Sequence, residues 1–389
     1  MSEQRAVWNV VGLISALGLT AVVAVVAVTK TGRQPVRPAA SPSASPSASS
    51  RSPTPGGLDG EGPFIVYTIR SSVLAYDIAS GATVPMGAFD GTPATQRSRQ
   101  PGTGKLVALA TIDGSVWTVS RAGMKRIGQI PGRLGTSFEG SALSPEDRRL
   151  AVAALTPRAS TVTVDLSTGA ATAIPRKRGG QYPPEPLLPV AWSLGGGLLY
   201  EVPFCQCPEG APGLYALDTA TGNASLVAGT RTTRLANFVV SSSGQALFYG
   251  EGTSRRCRSG EPEPCGQAPY FLRRIAAGQR GTETIRRATD AAFLPDAISL
   301  DGTSMLVTRR VAGGTTSRVE RIDADGERLS SFRGLPPGAT PLALLAGDVV
   351  VVGTTAPWTI AVVGEGKAET IARSDVAGDG APRFLGWLE

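Results

Sequence analysis

Between Val73 and Ile371 seven stretches share one pattern of apolar and polar positions: a short alternating strand, a polar turn that usually holds glycine, and a second short strand. They are VLAYDIASGATV (73–84), VWTVSRAGMKRI (116–127), TVTVDLSTGAATAI (161–174), LYALDTATGNASLV (214–227), YFLRRIAAGQRGTETI (270–285), RVERIDADGERLSSF (318–332) and WTIAVVGEGKAETI (358–371). Apolar residues at every second position set one face of a strand against a core, and the turn joins two such strands into an antiparallel hairpin. Recurrence at roughly 40 to 58 residues marks radially repeated all-β architecture, in which each unit buries its apolar face only against its neighbours.

Two further strands precede most hairpins. An inner strand and its turn read GSALSPEDRR (140–149), PVAWSLGGG (189–197), NFVVSSSGQ (237–245) and DAISLDGTS (296–304), each carrying a serine before a Gly or Asp turn. The second strand follows as LAVAAL (150–155), LLYEVPF (198–204), ALFYGE (246–251) and MLVTRRV (305–311). The first repeat starts at its second strand, FIVYTI (64–69), and its missing inner strand is supplied by RFLGWL (383–388) at the other chain end. The expected fold is therefore a seven-bladed β-propeller closed by strands from both termini, which removes exposed sheet edges. Six blades is the alternative if the second repeat, whose inner strand TQRSRQ (95–100) is poorly apolar, is not a true blade.

The phrases YDIASG, VDLSTG and LDTATG, with SPED and SLDG, resemble the TolB-like and WD40-like propellers of bacterial envelope proteins. The resemblance covers roughly residues 63–389, and its short turn-forming motifs are specific for architecture rather than activity. It implies a rigid platform for interaction or ligand binding without chemistry of its own. The Trp-Asp and Gly-His pairs of eukaryotic WD40 blades are missing.

The N-terminus is different material. Residues 1–6 form a short tail, and Val7 to Val28 run without a charge over a length that crosses a hydrocarbon core of roughly 30 Å. A cleaved signal peptide has an apolar stretch of about 7 to 15 residues, so this one reads as an uncleaved transmembrane helix. Residues 29–62 are rich in Pro, Ser and Ala and form an expected disordered stalk. Lys30, Arg33 and Arg37 oppose export under the positive-inside rule. The four cysteines and the tethering stalk favour it, and long domains translocate largely regardless of charge. The expected location is the cell membrane, single-pass, with residues 63–389 outside.

Charge and composition narrow the function. The net charge of +7 is scattered along the repeats without an aromatic-interleaved patch, which argues against nucleic acid. Histidine is absent, which removes Ser-His-Asp and Cys-His catalysis and His-ligated zinc or haem. No cofactor is expected. Cys205, Cys207, Cys257 and Cys265 fall after the second strands of adjacent repeats. They read as two disulfides between the loops, or as Cys257 to Cys265 with a free CxC; the spacings are not those of a zinc site.

The longest insertions, 175–189, 205–213 and 254–267, follow strands that end on one face in a standard propeller. Arg176, Lys177, Arg178, Arg255, Arg256 and Arg258 make that rim positive, with Tyr182 and Phe204 as anchors. The expected partner is an envelope protein or an anionic envelope polymer. Ordinary solvated loops are the simpler account of the same charges. Asp323 to Glu327 resembles a calcium loop but has glycine at the fourth position and no Glu at the twelfth, so it reads as a hairpin turn. The whole reads as a membrane-anchored extracytoplasmic propeller acting as a non-catalytic protein- or ligand-binding module. The alternative is a propeller enzyme, a glycan lyase or hydrolase with carboxylates or tyrosines in the central funnel.

Overall fold

The structure, a computed structural model, describes residues 57–389 except 95–97, 100–102, 133–135, 156–159, 175–185, 205–210, 231–232, 242–243, 254–268, 278, 312–316, 333–334, 337, 356, 365–366 and 378–379, and gives the backbone alone at 98–99, 211–212, 233–234, 236, 253 and 347. Contacts divide the chain into Met1–Ser52 and Pro53–Glu389. The expected tail, the membrane span and residues 29–56 of the stalk lie outside the described residues.

The described chain is a seven-bladed propeller of antiparallel sheets. Blade 1 runs Arg383–Leu388, Phe64–Ile69, Ser72–Asp77, Thr83–Ala88, counting outward from the axis. Blades 3 to 7 begin with the inner strands Ser137–Leu143, Leu187–Trp192, Thr233–Val240, Ala291–Ile298 and Thr340–Leu344, and each continues outward in sequence order. Inner strands of blades 3 to 7 lie side by side in succession.

Blade 2 settles the count at seven. Val107–Ala110, Ser115–Ser120 and Gly123–Gln129 form its sheet. Its innermost piece is Thr92 to Ala94: the Ala94 N–H reaches the Ala110 carbonyl at 2.8 Å, and the Ile112 N–H reaches that of Thr92 at 2.8 Å. Of the expected inner strand at 95–100 the described residues are Ser98–Arg99, which pair in parallel with Phe238 and Val239 of blade 5 and not with blade 2. The physical reason lies in composition. Thr-Pro-Ala is compact, with Ala94 buried between blades, whereas Gln-Arg-Ser-Arg offers no apolar side chain for that space.

RFLGWL pairs antiparallel with FIVYTI, Phe64 opposite Leu388 and Thr68 opposite Arg383. Side chains alternate between the two neighbouring blades, as the two-residue period of a strand requires. Phe64, Val66 and Leu388 join Val107 and Val119 of blade 2, while Ile65, Tyr67 and Trp387 join Ala343, Val351 and Ile360 of blade 7. The Tyr76 hydroxyl donates to Glu369 Oε1 at 2.7 Å across the closure. Burial, followed by that carboxylate, pushes the Tyr76 phenol up to about 12.

Arg121, in the outer hairpin of blade 2, ties both chain ends down. Its guanidinium donates to the Gly62 carbonyl at 3.0 Å and to the carbonyls of Gly60 and Glu389, and it lies over the Phe64 ring. Leu58 is buried beneath it, so the last residues of the Pro/Ser-rich stretch pack as part of the propeller.

One local device recurs on the inner strands. Six of them carry a one-residue irregularity, between Glu139 and Ser141, Pro189 and Ala191, Ala236 and Phe238, Pro295 and Ala297, Pro341 and Ala343, and opposite Val66/Tyr67 in RFLGWL. Three of these are the same tripeptide, Pro-x-Ala. Proline lacks a ladder donor and fits a strand with one unpaired edge, and a bulge bends that strand. The inner turns repeat as well: Ser144, Ser193, Ser241 and Ser299 each accept, on Oγ, the N–H five residues on, at 3.0 to 3.1 Å.

The outer hairpins are closed by aspartates. Asp165 Oδ1 accepts the N–H groups of Ser167 and Thr168 at 2.9 Å, Asp218 those of Ala220 and Thr221, and Asp323 those of Asp325 and Glu327. The Asp323 segment is thus a hairpin turn, as its sequence indicated.

Hydroxyl and backbone donors hold these carboxyls low. The Ser167 hydroxyl and the Thr168 N–H lower Asp165 to about 2, the Ser80 hydroxyl lowers Asp77, and the Thr221 N–H lowers Asp218. A carboxyl lowered by folding stabilises the native state above its unfolded value, about 3.9, and that contribution is lost as pH falls through the folded value. Asp147, raised by burial, acts in the opposite sense. Calorimetry between pH 5 and pH 2 is expected to show a melting midpoint that falls mainly below about pH 4, less steeply in Asp165→Asn. A flat midpoint there would contradict the assignment.

Candidate functional site

In an antiparallel blade the links from second to third strand, and from fourth strand to the next blade, emerge on one face; the remaining links emerge on the other. On the first face lie the strand ends that flank the three insertions: Ala173 and Leu187, Pro203 and Tyr215, and Thr253 and Tyr270. Arg176, Lys177, Arg178, Tyr182, Arg255, Arg256, Arg258 and the four cysteines themselves lie outside the described residues. Gly60, Gly62 and Glu389, held by Arg121, lie toward the opposite face.

The first face also holds a cavity of about 340 Å³ where blades 6, 7 and 1 meet. Its lining includes Thr340, Thr355, Trp358 and Pro382, all at strand ends or links of that face. Leu342, Phe384 and Leu385 are half-buried in its wall. Leu342 and Leu385 occupy bulge positions of two inner strands, so the backbone irregularity places both beside the space. Gly353 leaves room for Leu342, because a Cβ there would meet its Cδ1 at 3.1 Å. Thr354 donates to the Pro357 carbonyl, and its Oγ1 lies 2.8 Å from that of Thr359. Trp387 is also among the lining residues; it is 5% exposed, and its buried indole N–H has no hydrogen-bond partner among the described residues.

None of the lining residues is among the site residues expected from sequence, although several lie in the repeated strands and in RFLGWL. The cavity is assembled from Ala297 to Trp387, across three blades, so no local spacing announces it. The signal that was available is the recurrent Pro-x-Ala tripeptide, which marks the inner-strand bulges.

Buried carboxylates sit elsewhere. Glu251 is held by a two-point ion pair with Arg273, at 3.1 and 3.2 Å, and Glu320 by Arg286 at 2.8 Å. Glu201 accepts from Thr161 of the neighbouring blade. Asp296, a bulge residue, accepts from Asn237 Nδ2 at 3.0 Å and from Thr308. These contacts join strands and blades. Among the described residues no three His, Cys, Asp or Glu side chains come together as metal ligands.

Neither a protein-family model nor a curated protein matches the sequence. Solved structures match its fold. A TolB protein from Agrobacterium tumefaciens is 15% identical over 68% of this chain and 91% of its own, with a TM-score of 0.42. TolB from Acinetobacter baumannii is 15% identical over 83% of this chain and 82% of its own, with a TM-score of 0.44. An oligogalacturonate lyase determined with manganese is 10% identical over 77% and 81%, with a TM-score of 0.50. At such identities the likeness is one of fold alone, a β-propeller.

Proposed function

We propose that this chain is a single-pass membrane protein that displays its propeller outside the cell on the 29–62 stalk and binds an envelope protein or anionic envelope polymer without catalysing a reaction. The observation that carries this reading is the convergence on one face. The strand ends flanking all three long insertions, the cavity, and the exposed side chains Ile112, Val311 and Val376 share it. Insertions on one rim of a rigid scaffold are where binding specificity is built without disturbing the core. Three of the insertion residues at 176–178 and three at 255–258 are basic, which suits an anionic partner.

Replacing Arg176, Lys177, Arg178, Arg255, Arg256 and Arg258 with glutamine tests the electrostatic part. In low salt the detergent-solubilised full-length protein is expected to co-sediment with anionic cell-wall polymer, about tenfold more than the six-residue variant, and the difference is expected to shrink at high salt. Equal co-sedimentation at every salt concentration would contradict it.

A further inference from the structure

We infer that the end of blade 6 on the first face is an oxyanion site for the phosphodiester groups of an envelope polymer; this rests on the reading of that face as the binding face. Three arginines from successive strands form it. Arg309 lies in Ser304–Val311, Arg318 in Ser317–Asp323 and Arg328 in Arg328–Ser331, and the ends Val311, Ser317 and Ser331 belong to the first face. Arg309 and Arg318 stand directly opposite each other in the ladder, so both side chains leave the sheet on one side. Met305, Val307 and Ile322 share that side by the two-residue period, and they pack with Phe248 and Leu272 of blade 5. The arginines therefore stand at the junction of blades 5 and 6.

Elsewhere in this junction arginines are matched by carboxylates. Arg274 pairs with Glu283 at 2.8 Å and with Asp325 at 3.1 Å, and Arg286 pairs with Glu320 at 2.8 Å. The end on the first face is different. Arg318 and Arg328 are exposed, have no carboxylate partner among the described residues, and both donate to the Ser331 hydroxyl. Two guanidinium groups thus meet at one uncharged oxygen. Arg309 reaches Asp290 at 2.8 Å through a single amino group, and its buried Nε has no hydrogen-bond partner among the described residues. Arg309, Arg318 and Arg328 against the one carboxylate of Asp290 leave two positive charges unmatched. Like charges set opposite in a ladder destabilise it, and a bound anion removes that repulsion.

The chemistry of the groups selects the anion. Guanidinium presents a planar fork of N–H donors that fits the oxygens of phosphate and carboxylate. A carboxylate has two oxygens in one plane, which a single guanidinium satisfies. A phosphate group presents its oxygens in several directions, which matches donors arriving from three strands around one hydroxyl. Ser331 accepts from both arginines and keeps its own proton for a phosphate oxygen. Thr253 and Tyr270, which flank the 254–267 insertion, end on the same face in the adjacent blade, so a chain of repeated phosphates has a continuous surface to follow.

The test titrates the detergent-solubilised full-length protein and its Arg318→Gln/Arg328→Gln variant with poly(glycerol phosphate), polygalacturonate and short-chain phosphatidylglycerol. The phosphate polymer is expected to bind saturably and, charge for charge, more tightly than the polyuronate. The double variant is expected to bind it about tenfold more weakly. Without ligand at low salt the variant is expected to melt no lower than the parent, because repulsion around Ser331 is relieved. Inorganic phosphate is expected to raise the melting midpoint of the parent more than that of the variant. Equal polymer binding by the two proteins, tighter binding of polygalacturonate, or binding of the lipid without the polymer would each overturn the inference. Polymer binding lost only in the six-residue insertion variant would overturn it and leave the proposed function standing. Polymer binding lost only in the Arg318/Arg328 variant would support it and remove the insertion residues from the proposed function.

Discussion

A chain ending at Pro382 is expected to lose cooperative folding. Residues 383–389 amount to seven residues at the extreme terminus, yet they supply the inner strand of blade 1. Without them Phe64–Ile69 loses one of its two ladders, and the Phe64/Leu388 and Tyr67/Trp387 clusters open on both sides of the ring. Each large apolar side chain withdrawn from water contributes about 1.5 to 3 kcal/mol. Phe384, Leu385, Trp387 and Leu388 together therefore approach the whole stability of a typical domain, about 5 to 15 kcal/mol. Blades 1 and 7 would face water along the exposed gap. Urea unfolding followed by far-ultraviolet circular dichroism is expected to show a broad transition without a native baseline. A sharp transition at the full-length midpoint would mean that the ring does not depend on its terminal strand.

That terminal pairing was legible in the chain because the first repeat begins at its second strand, FIVYTI, and RFLGWL has the apolar and Trp character of the inner strand in PVAWS. The propeller joins the two antiparallel, with one irregularity opposite Val66/Tyr67. The serine turns were legible for a similar reason: a hydroxyl that accepts the N–H five residues on is a local interaction, repeated at Ser144, Ser193, Ser241 and Ser299.

Non-local features escaped. Among the described residues the inner piece of blade 2 is Thr92 to Ala94, too short to show a period, and Ser98–Arg99 pair instead with blade 5. Pro-x-Ala at 189–191, 295–297 and 341–343 is visible as a repeat, but its meaning depends on knowing that those strands have a free edge. The cavity depends on Trp358, Phe384 and Thr340 meeting across blades, which only ring closure brings about.

The proposed function makes one face the partner-facing surface, and the effect of position is expected to be all-or-none. A photo-crosslinking amino acid at Thr355 or Val311 stands on the face with the cavity and the insertion ends; both side chains are exposed. The same amino acid at Ser80 or Leu194, also exposed, stands on the opposite face, in an outer hairpin and an inner turn. Substitution at these positions leaves the core intact, so differences in adduct formation report the surroundings rather than folding. The most direct measurement is irradiation of intact cells carrying each of the four full-length variants, with adducts resolved by mass. Adducts to an envelope component from Thr355 and Val311, and none from Ser80 and Leu194, is the predicted result; equal adducts from both faces, or adducts only from Ser80 and Leu194, would contradict it.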